Sequence, residues 1–217
     1  MCAVKLIGMM DSPFVRRTAI GLDVLGVEFD HVAVSVFSHF ERFREINAVV
    51  KAPTLVFEDG TSMMDSSLIL EYFESQSSGS LWANDPDERC AEAKAVSYAL
   101  AACEKSVQTV YERNLRPREH QYGPWLERVA AQRKAAFRAL ENEVAQRAEL
   151  FGRLSQASSI AAVALQFAHS ELGSEVDPSD YPSLAKHAAR MEALPVFLKY
   201  PPVGPGVQPS EGVPDRG

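Results

Sequence analysis

Residues 51–74 read K-A-P-T-L-V-F-E-D-G-T-S-M-M-D-S-S-L-I-L-E-Y-F-E, and this stretch decides the fold because the spacing of its apolar residues changes at Asp65-Ser66. Asp59-Gly60 is a tight-turn dipeptide that tolerates positive φ, and the β-branched and aromatic run before it is typical of a strand. Ser66 is a good N-cap, and the apolar residues that follow it have helical spacing. The stretch therefore predicts a strand, a turn, a second strand and a helix.

Pro53 stands at the beginning of the first of these strands. It has no N–H and its peptide bond can be cis, so it stops further strand pairing and leaves the N–H and C=O of Ala52 free for an extended, peptide-like ligand. The Asp65 carboxylate can hold an ammonium group, and the Ser66 hydroxyl with the helix N–H groups can hold a carboxylate. Lys51 adds a mobile positive charge. Together these residues predict a site for both ends of a small zwitterionic peptide.

This order of features resembles the glutathione-binding half of the glutathione transferases. In that family a cis-proline follows a backbone-pairing residue, and an acidic residue and a serine begin a helix. The resemblance implies that Lys51, Ala52, Asp65 and Ser66 contact glutathione beside Pro53. The alternative is ordinary α/β structure, in which the proline only begins a strand and the serine only caps a helix.

The segment before Pro53 departs from the family pattern. The family usually has N-P-x-G-K-[VI]-P, whereas residues 47–53 of this chain read N-A-V-V-K-A-P, without the first proline and the glycine. The difference concerns the geometry of the loop more than the expected contacts with the ligand.

The first part of the chain alternates strands and helices. A β-rich run at residues 3–8 precedes Ser12-Pro13, which is a strong helix start because serine is a good N-cap and proline is favoured at the first helical position. A second strand is expected at residues 27–36. With residues 51–74 the order becomes β-α-β-α-β-β-α, which predicts a thioredoxin-like mixed sheet whose first unit is a right-handed parallel crossover.

The second part of the chain has helical spacing almost throughout. Residues 75–87 contain Ser, Gly and Pro with few periodic apolar residues, so the domain boundary is expected there. A third long apolar helix of the second part is expected to begin at Ser158 or Ser159. The fold class is thus α/β + all-α: a thioredoxin-like domain at 1–76, a linker at 77–87, an all-α domain at 88–200 and a disordered tail at 201–217, which holds five Pro and four Gly.

The loop S-P-F-V-R-R-T-A-I, which begins at Ser12, resembles the first catalytic motif of the serine-type transferases, particularly the plant tau class and a related bacterial group. The resemblance implies that the Ser12 hydroxyl donates a hydrogen bond to the sulfur of glutathione and favours the thiolate. A free thiol has a pKa near 8.5, and the thiolate is the nucleophile. Ser12 would thus be an electrostatic stabiliser; alternatively it only caps a helix.

The second substrate is expected to bind between the two domains, where apolar pockets tend to form. Phe14 and Tyr98 are the candidates for lining this electrophile pocket. The alternative is that both rings belong to the hydrophobic core.

Composition excludes several classes of function. A net charge of −7 argues against a nucleic-acid surface, and hydrophobic residues at 46% with charged residues at 24% are typical of a soluble protein. Cys2, Cys90 and Cys103 match neither a disulfide framework nor a zinc site, and the five histidines have no metal-ligand spacing. The expectation is a protein of the reducing cytoplasm with no metal, no signal peptide and no membrane span.

The residues and the resemblance together predict a cytoplasmic, homodimeric glutathione transferase that takes glutathione as co-substrate and joins its thiolate to a small hydrophobic electrophile in detoxification. Two alternatives stay open. The first is a non-catalytic interaction protein with the same fold. The second is a glutathione-dependent isomerase or peroxidase that uses the same thiolate.

Overall fold

The computed structural model describes residues 4–207, which form a four-stranded sheet followed by a helical bundle. The elements in chain order are β1 (Val4–Ile7), α1 (Pro13–Val24), β2 (Phe29–Val32), α2 (Phe40–Ile46), β3 (Thr54–Val56), β4 (Ser62–Met64), α3 (Ser66–Glu74), α4 (Pro86–Leu115), α5 (Gly123–Gln146), α6 (Gln156–Leu172), α7 (Pro182–Glu192) and α8 (Pro195–Lys199).

The sheet has the order β2-β1-β3-β4. β1 is parallel to β2 and antiparallel to β3, and β3 is antiparallel to β4 across the turn at Asp59-Gly60. This topology confirms the thioredoxin-like mixed sheet and the parallel first crossover. β2 is shorter than the strand expected at residues 27–36, because the chain leaves the sheet after Val32. Val34 is also buried, but it lies in the loop that follows the strand.

α1 connects the sheet with the helical bundle. Ser12 is its N-cap and Pro13 occupies the first turn, so the helix begins directly after the loop that follows β1. One face of α1 carries Leu22, which packs in the core between the sheet and α3, and another face carries Ile20, which joins the core of the bundle. The two halves of the molecule therefore share one helix.

Small residues allow the bundle helices to approach closely. α4 and α6 pack together through fully buried alanines, and α5 packs against α4 and adds Phe137 and Leu140 to the same core. Such packing permits short interhelical distances and a dense core. The fully buried alanines on these two helices are Ala95, Ala99, Ala102, Ala157, Ala161, Ala162, Ala164 and Ala168. None of the helices within residues 4–207 has the length and apolarity needed to cross a bilayer.

α6 begins earlier than the sequence indicated. Its N-cap is Ser155, whose hydroxyl accepts a hydrogen bond from Ser158 N–H at 3.2 Å while Ser158 Oγ accepts one from Ser155 N–H at 2.8 Å. The expected start at Ser158 or Ser159 is therefore wrong by about one turn, because a serine takes the place that a glutamate or glutamine holds in the usual capping box.

The chain returns to the first half after α8. Gly206 N–H donates a hydrogen bond to Asp11 Oδ2 at 2.9 Å, and Val207 packs against the bundle core. Residues 201–207 of the expected disordered tail thus have defined contacts. Residues 208–217 of that tail, and Cys2, lie outside the described residues.

Candidate active site

The hydroxyl of Ser12 lies at the N-terminus of α1, where helix N–H groups are unpaired. Val15 N–H is 3.5 Å from Ser12 Oγ, at the outer limit of a hydrogen bond, so the cap is weak. No acceptor within residues 4–207 takes the hydroxyl hydrogen of this half-buried residue. Ser12 can therefore donate a hydrogen bond to an anion placed at the positive end of the helix.

The loop before β3 presents the backbone of Ala52. The Ala52–Pro53 peptide is cis, and Pro53 is buried behind it. Thr54 Oγ1 donates to the carbonyl of Lys51 at 2.7 Å and accepts from Asn47 Nδ2 at 2.8 Å, which fixes the loop from within. Neither the N–H nor the C=O of Ala52 has a hydrogen bond within the described residues, so both are available to an extended ligand.

Gly8 brings the Ser12 loop and the Ala52 loop together. Its φ is +142°, and a Cβ at this position would lie 2.6 Å from Val15 Cγ2 and 3.1 Å from Ala52 Cβ. Only glycine fits between β1, the first turn of α1 and the loop. Sequence reasoning gave Gly8 no role in the site, although a glycine directly after a strand is a signal for close backbone approach.

Asp65 forms the third part of the candidate site. Its Oδ1 accepts from Ser67 N–H at 2.9 Å, its Oδ2 lies 3.3 Å from Lys51 Nζ, and its φ is +76°. Burial raises the pKa of this carboxyl, but the Ser67 hydrogen bond, Lys51 and Arg17 outweigh burial and bring the pKa below its ordinary value. Asp65 is thus an anion at neutral pH, with a mobile cation as its partner.

Arg17 lies beneath the N-terminus of α3. Its Nη1 donates to Ser66 Oγ and to Ser67 Oγ at 3.0 Å each, and its Nη2 donates to Gln156 Oε1 at 2.8 Å. Burial lowers the pKa of Arg17 to about 10, against the influence of Cys103 and Asp65, so the guanidinium remains charged at neutral pH.

A buried charge of this kind is costly unless it has a partner. Arg17 forms no ion pair within residues 4–207, and its Nε is buried without a hydrogen-bond partner. A buried positive charge without an ion-pair partner favours an anion at Ser66. Helical periodicity carries no signal for this arrangement.

A cavity of about 440 Å³ opens beside Ser12, Lys51 and Ala52. Phe14 lines it, as expected for the electrophile pocket, and the opposite wall comes from α4 and α6. Tyr98 does not line it, which corrects that expectation: the ring packs against the bundle core and lies 5.9 Å from Lys94 Nζ. Tyr98 is three turns before the part of α4 that reaches the cavity.

The structure therefore brings most of the expected site residues to one place. Ser12, Phe14, Lys51 and Ala52 line the cavity, Lys51 connects it to Asp65, and Ser66 is held by Arg17 from below. No group of three or more potential metal ligands occurs in the part of the chain from residue 4 to residue 207.

The first domain is similar to known proteins. Residues 6–81 match the family model described as "Glutathione S-transferase, N-terminal domain". The uncharacterized GST-like protein YibF of Escherichia coli is 35% identical over 71 residues, 33% of this chain and 35% of that protein. Glutathione S-transferase U4 of Arabidopsis thaliana is 32% identical over 84 residues, 38% of this chain and 35% of that protein. Matches to curated relatives of this kind span 35 to 50% of the relatives' own length.

The fold of the whole chain also has a solved counterpart. A glutathione transferase family member from Pseudomonas fluorescens Pf-5, crystallised with bound glutathione, has a TM-score of 0.83 and 24% identity, covering 93% of this chain and 100% of that chain. At this identity the likeness concerns the fold alone, including the helical bundle. The family match confirms the general resemblance to the glutathione transferases that residues 51–74 indicated.

Proposed function

We propose that this chain, whose residues 6–81 belong to the N-terminal domain family of the glutathione transferases, is a cytoplasmic enzyme that joins the thiol of glutathione to a small apolar electrophile. The observation that carries the proposal is the position of Ser12: its free hydroxyl hydrogen and the N-terminus of α1 face the same cavity as the unpaired backbone of Ala52. The solved relative with bound glutathione shares the fold around this position.

The polar groups of the candidate site match the parts of glutathione one by one. The N–H and C=O of Ala52 pair with the backbone of the cysteinyl residue, as a strand edge does. The γ-glutamyl carboxylate binds at Ser66 and the α3 N-terminus above Arg17, and its ammonium group binds Asp65. Lys51 then turns from Asp65 toward the glycyl carboxylate. Each end of the tripeptide meets a group of opposite charge.

Ser12 acts on the sulfur in this arrangement. With the cysteinyl backbone held at Ala52, the thiol lies at the α1 N-terminus, where the Ser12 hydroxyl and the helix dipole stabilise the thiolate more than the neutral thiol. The thiolate attacks the electrophile in the cavity beyond, forms the carbon–sulfur bond and expels the leaving group. Ser12 keeps its proton throughout, so it lowers the barrier electrostatically and is not a nucleophile.

The test compares Ser12→Ala with Ser12→Thr, using 1-chloro-2,4-dinitrobenzene as the electrophile. We expect the alanine variant to lose about 10- to 100-fold in kcat, because removing the donor raises the pKa of the bound thiol by one to two units. Thiolate absorbance of bound glutathione near 240 nm measures that pKa directly. The threonine variant keeps a hydroxyl and restores most of the activity. Unchanged conjugation by a folded Ser12→Ala variant would refute this role.

The homodimer is the second part of the proposal. Leu68 and Tyr72 lie one turn apart on α3 and are 58% and 39% exposed, and the Tyr72 ring contacts Phe57 at 5.5 Å between centroids. We call these three residues the apolar patch. An apolar surface of this kind on an otherwise acidic protein favours burial against a second copy of the chain.

A further inference from the structure

Three polar groups line a part of the cavity that the proposed glutathione contacts do not use. Asp11 follows β1, Tyr111 lies on α4 and Glu171 lies on α6, and all three line the cavity. Phe167 lines it as well, one turn before Glu171, so this face of α6 is turned toward the cavity. We call Asp11, Tyr111 and Glu171 the acidic wall.

The groups of the acidic wall interact with one another. Burial, followed by the negative charge of Asp11, raises the pKa of both the Glu171 carboxyl and the Tyr111 hydroxyl above their ordinary values. A positive charge placed among the three would relieve this repulsion, and a further negative charge would add to it.

Two of the three groups are free to bind a ligand. Asp11 already accepts a hydrogen bond from Gly206 N–H, and Tyr111 holds the Phe37 ring edge-on at 5.2 Å. Within residues 4–207, however, neither the half-buried Glu171 carboxylate nor the Tyr111 hydroxyl has a hydrogen bond or an ion pair. A carboxylate can accept hydrogen bonds from a ligand, and a phenol hydroxyl can both donate and accept them.

The remaining wall offers no cation to an acidic ligand. Among the described residues that line the cavity, Lys51 alone is basic, and it is bound to Asp65 and assigned to glutathione. The other walls are mostly apolar, with Val34, Val107 and Val110 as examples. A carboxylate inside the cavity would therefore lose water without gaining a counter-charge.

We propose that the acidic wall selects the electrophile: the preferred substrate is an apolar molecule whose far side carries an N–H donor or a positive charge, and Glu171 is the residue that discriminates against carboxylates. The inference rests on the proposed glutathione transfer and adds the substrate class to it. Specificity here comes from repulsion of the wrong substrate as well as attraction of the right one.

The test uses three halonitroarenes that share the reacting carbon: 1-chloro-2,4-dinitrobenzene, 4-chloro-3-nitrobenzoate and 4-chloro-3-nitrobenzylamine. Each kcat/KM is divided by the rate constant for the uncatalysed reaction with glutathione, which removes the difference in intrinsic reactivity. We expect the normalised value of the ammonium compound to exceed that of the carboxylate by about tenfold or more. Glu171→Gln should reduce this ratio about tenfold, because it removes the charge and keeps the shape.

Glu127→Gln is the matched control, since Glu127 is an exposed carboxylate on α5 that does not line the cavity. It makes the same change in net charge and should leave the ratio unchanged. Competitive inhibition by the glutathione conjugates of the two charged compounds should give the same order of affinity without a chemical step.

The outcomes separate this inference from the proposed function. Conjugation of all three compounds with equal normalised rates, or an unchanged ratio in a folded Glu171→Gln variant, overturns the role of the acidic wall and leaves glutathione transfer intact. Failure to conjugate any of the three overturns both.

Discussion

Val50 shows how a single residue adapts the site. It occupies the position of the glycine in the family pattern N-P-x-G-K-[VI]-P, and its φ is +51°. A β-branched residue in this left-handed region is unusual and strained. Asn47 holds the strained loop, because its Oδ1 accepts from Val49 N–H at 3.0 Å and its carbonyl accepts from Val50 N–H at 2.9 Å. The loop that presents Lys51 and Ala52 therefore keeps its form without the glycine.

The strain at Val50 can be measured with two substitutions. Val50→Gly and Val50→Ala both remove the side chain from its partly buried position, but only glycine adopts a positive φ freely. We expect the glycine variant to be more stable than the alanine variant by about 1 kcal/mol in urea unfolding. At an ordinary helical or extended position the order would be reversed, so a more stable alanine variant would contradict the left-handed backbone.

His187 makes the molecule sensitive to acid. It is buried, its Nε2 lies 2.8 Å from the Ser158 carbonyl, and its ring meets Phe151 edge-on at 5.3 Å. Burial lowers the pKa of His187; the Ser158 carbonyl opposes this and Arg190 reinforces it. Protonation is thus harder in the folded state than in the unfolded chain. The stability that neutral His187 contributes is complete above the unfolded pKa of about 6.5 and is lost as pH falls through the folded pKa.

The expected result is a free energy of unfolding that decreases when the pH is lowered from 7.5 to 5.5. His187→Gln should reduce the steepness of this decrease, although it lowers stability at pH 7.5. His120→Gln changes an exposed histidine and should keep the slope of the unsubstituted protein. Urea unfolding at three pH values measures all three slopes, and equal slopes for His187→Gln and the unsubstituted protein would exclude His187 as the cause.

At the scale of the element, the start of α6 has two serines with opposite roles. Ser155 caps the helix, whereas Ser159 Oγ is buried without a hydrogen-bond partner within the described residues. We expect Ser155→Ala to lower the free energy of unfolding by about 1 to 2 kcal/mol, since the cap is lost in a buried setting. Ser159→Ala should be neutral or stabilising, because it removes an unsatisfied hydroxyl. Equal losses for the two variants, measured in urea, would contradict the assigned cap.

The elements show which information the sequence carries and which it does not. Turn chemistry at Asp59-Gly60 and the change of period at Asp65-Ser66 are local signals, so they predicted the order of strands and helices. The direction of a side chain on a long helix is set by packing, so periodicity could not tell Tyr98 from Tyr111 as a cavity residue. The contacts of Arg17 could not be predicted for a similar reason, because its partners on α3 and α6 lie 49 and 139 residues away.

Arg16 joins the segment from α7 to Tyr200 to α1. Its guanidinium makes two hydrogen bonds to Glu192 at 2.7 and 2.6 Å and a third from Nε to the Tyr200 carbonyl at 2.8 Å, and it lies 5.4 Å from the centre of the Phe197 ring. The side chain is 1% exposed. This planar, three-point contact requires arginine, since lysine offers only one charged nitrogen.

Arg16→Lys is therefore expected to cost about 2 kcal/mol or more of the free energy of unfolding, because the charge stays buried with fewer hydrogen bonds. Arg44→Lys is the control: the Arg44–Glu41 pair has side chains that are 57% and 69% exposed, and its change should stay within about 0.5 kcal/mol. Urea unfolding compares the two. A loss at Arg16 no larger than at Arg44 would show that the contact between α1 and the C-terminal segment contributes little.

Assembly is the last property that the molecule as a whole determines. In the proposed homodimer the apolar patch of Phe57, Leu68 and Tyr72 is covered, whereas every residue assigned to glutathione lies on one chain.

Leu68→Glu places a charge in the expected interface and should raise the dimer dissociation constant at least about tenfold. Leu198→Glu, at a residue of α8 that is 66% exposed, is the matched control and should leave the dimer intact. Light scattering over a range of concentrations gives the mass of each variant, and a Leu68→Glu variant that remains as dimeric as the control would place the interface elsewhere. Because every residue that the proposal assigns to glutathione lies on one chain, the monomeric variant should still bind glutathione, which separates the role of assembly from the role of the site.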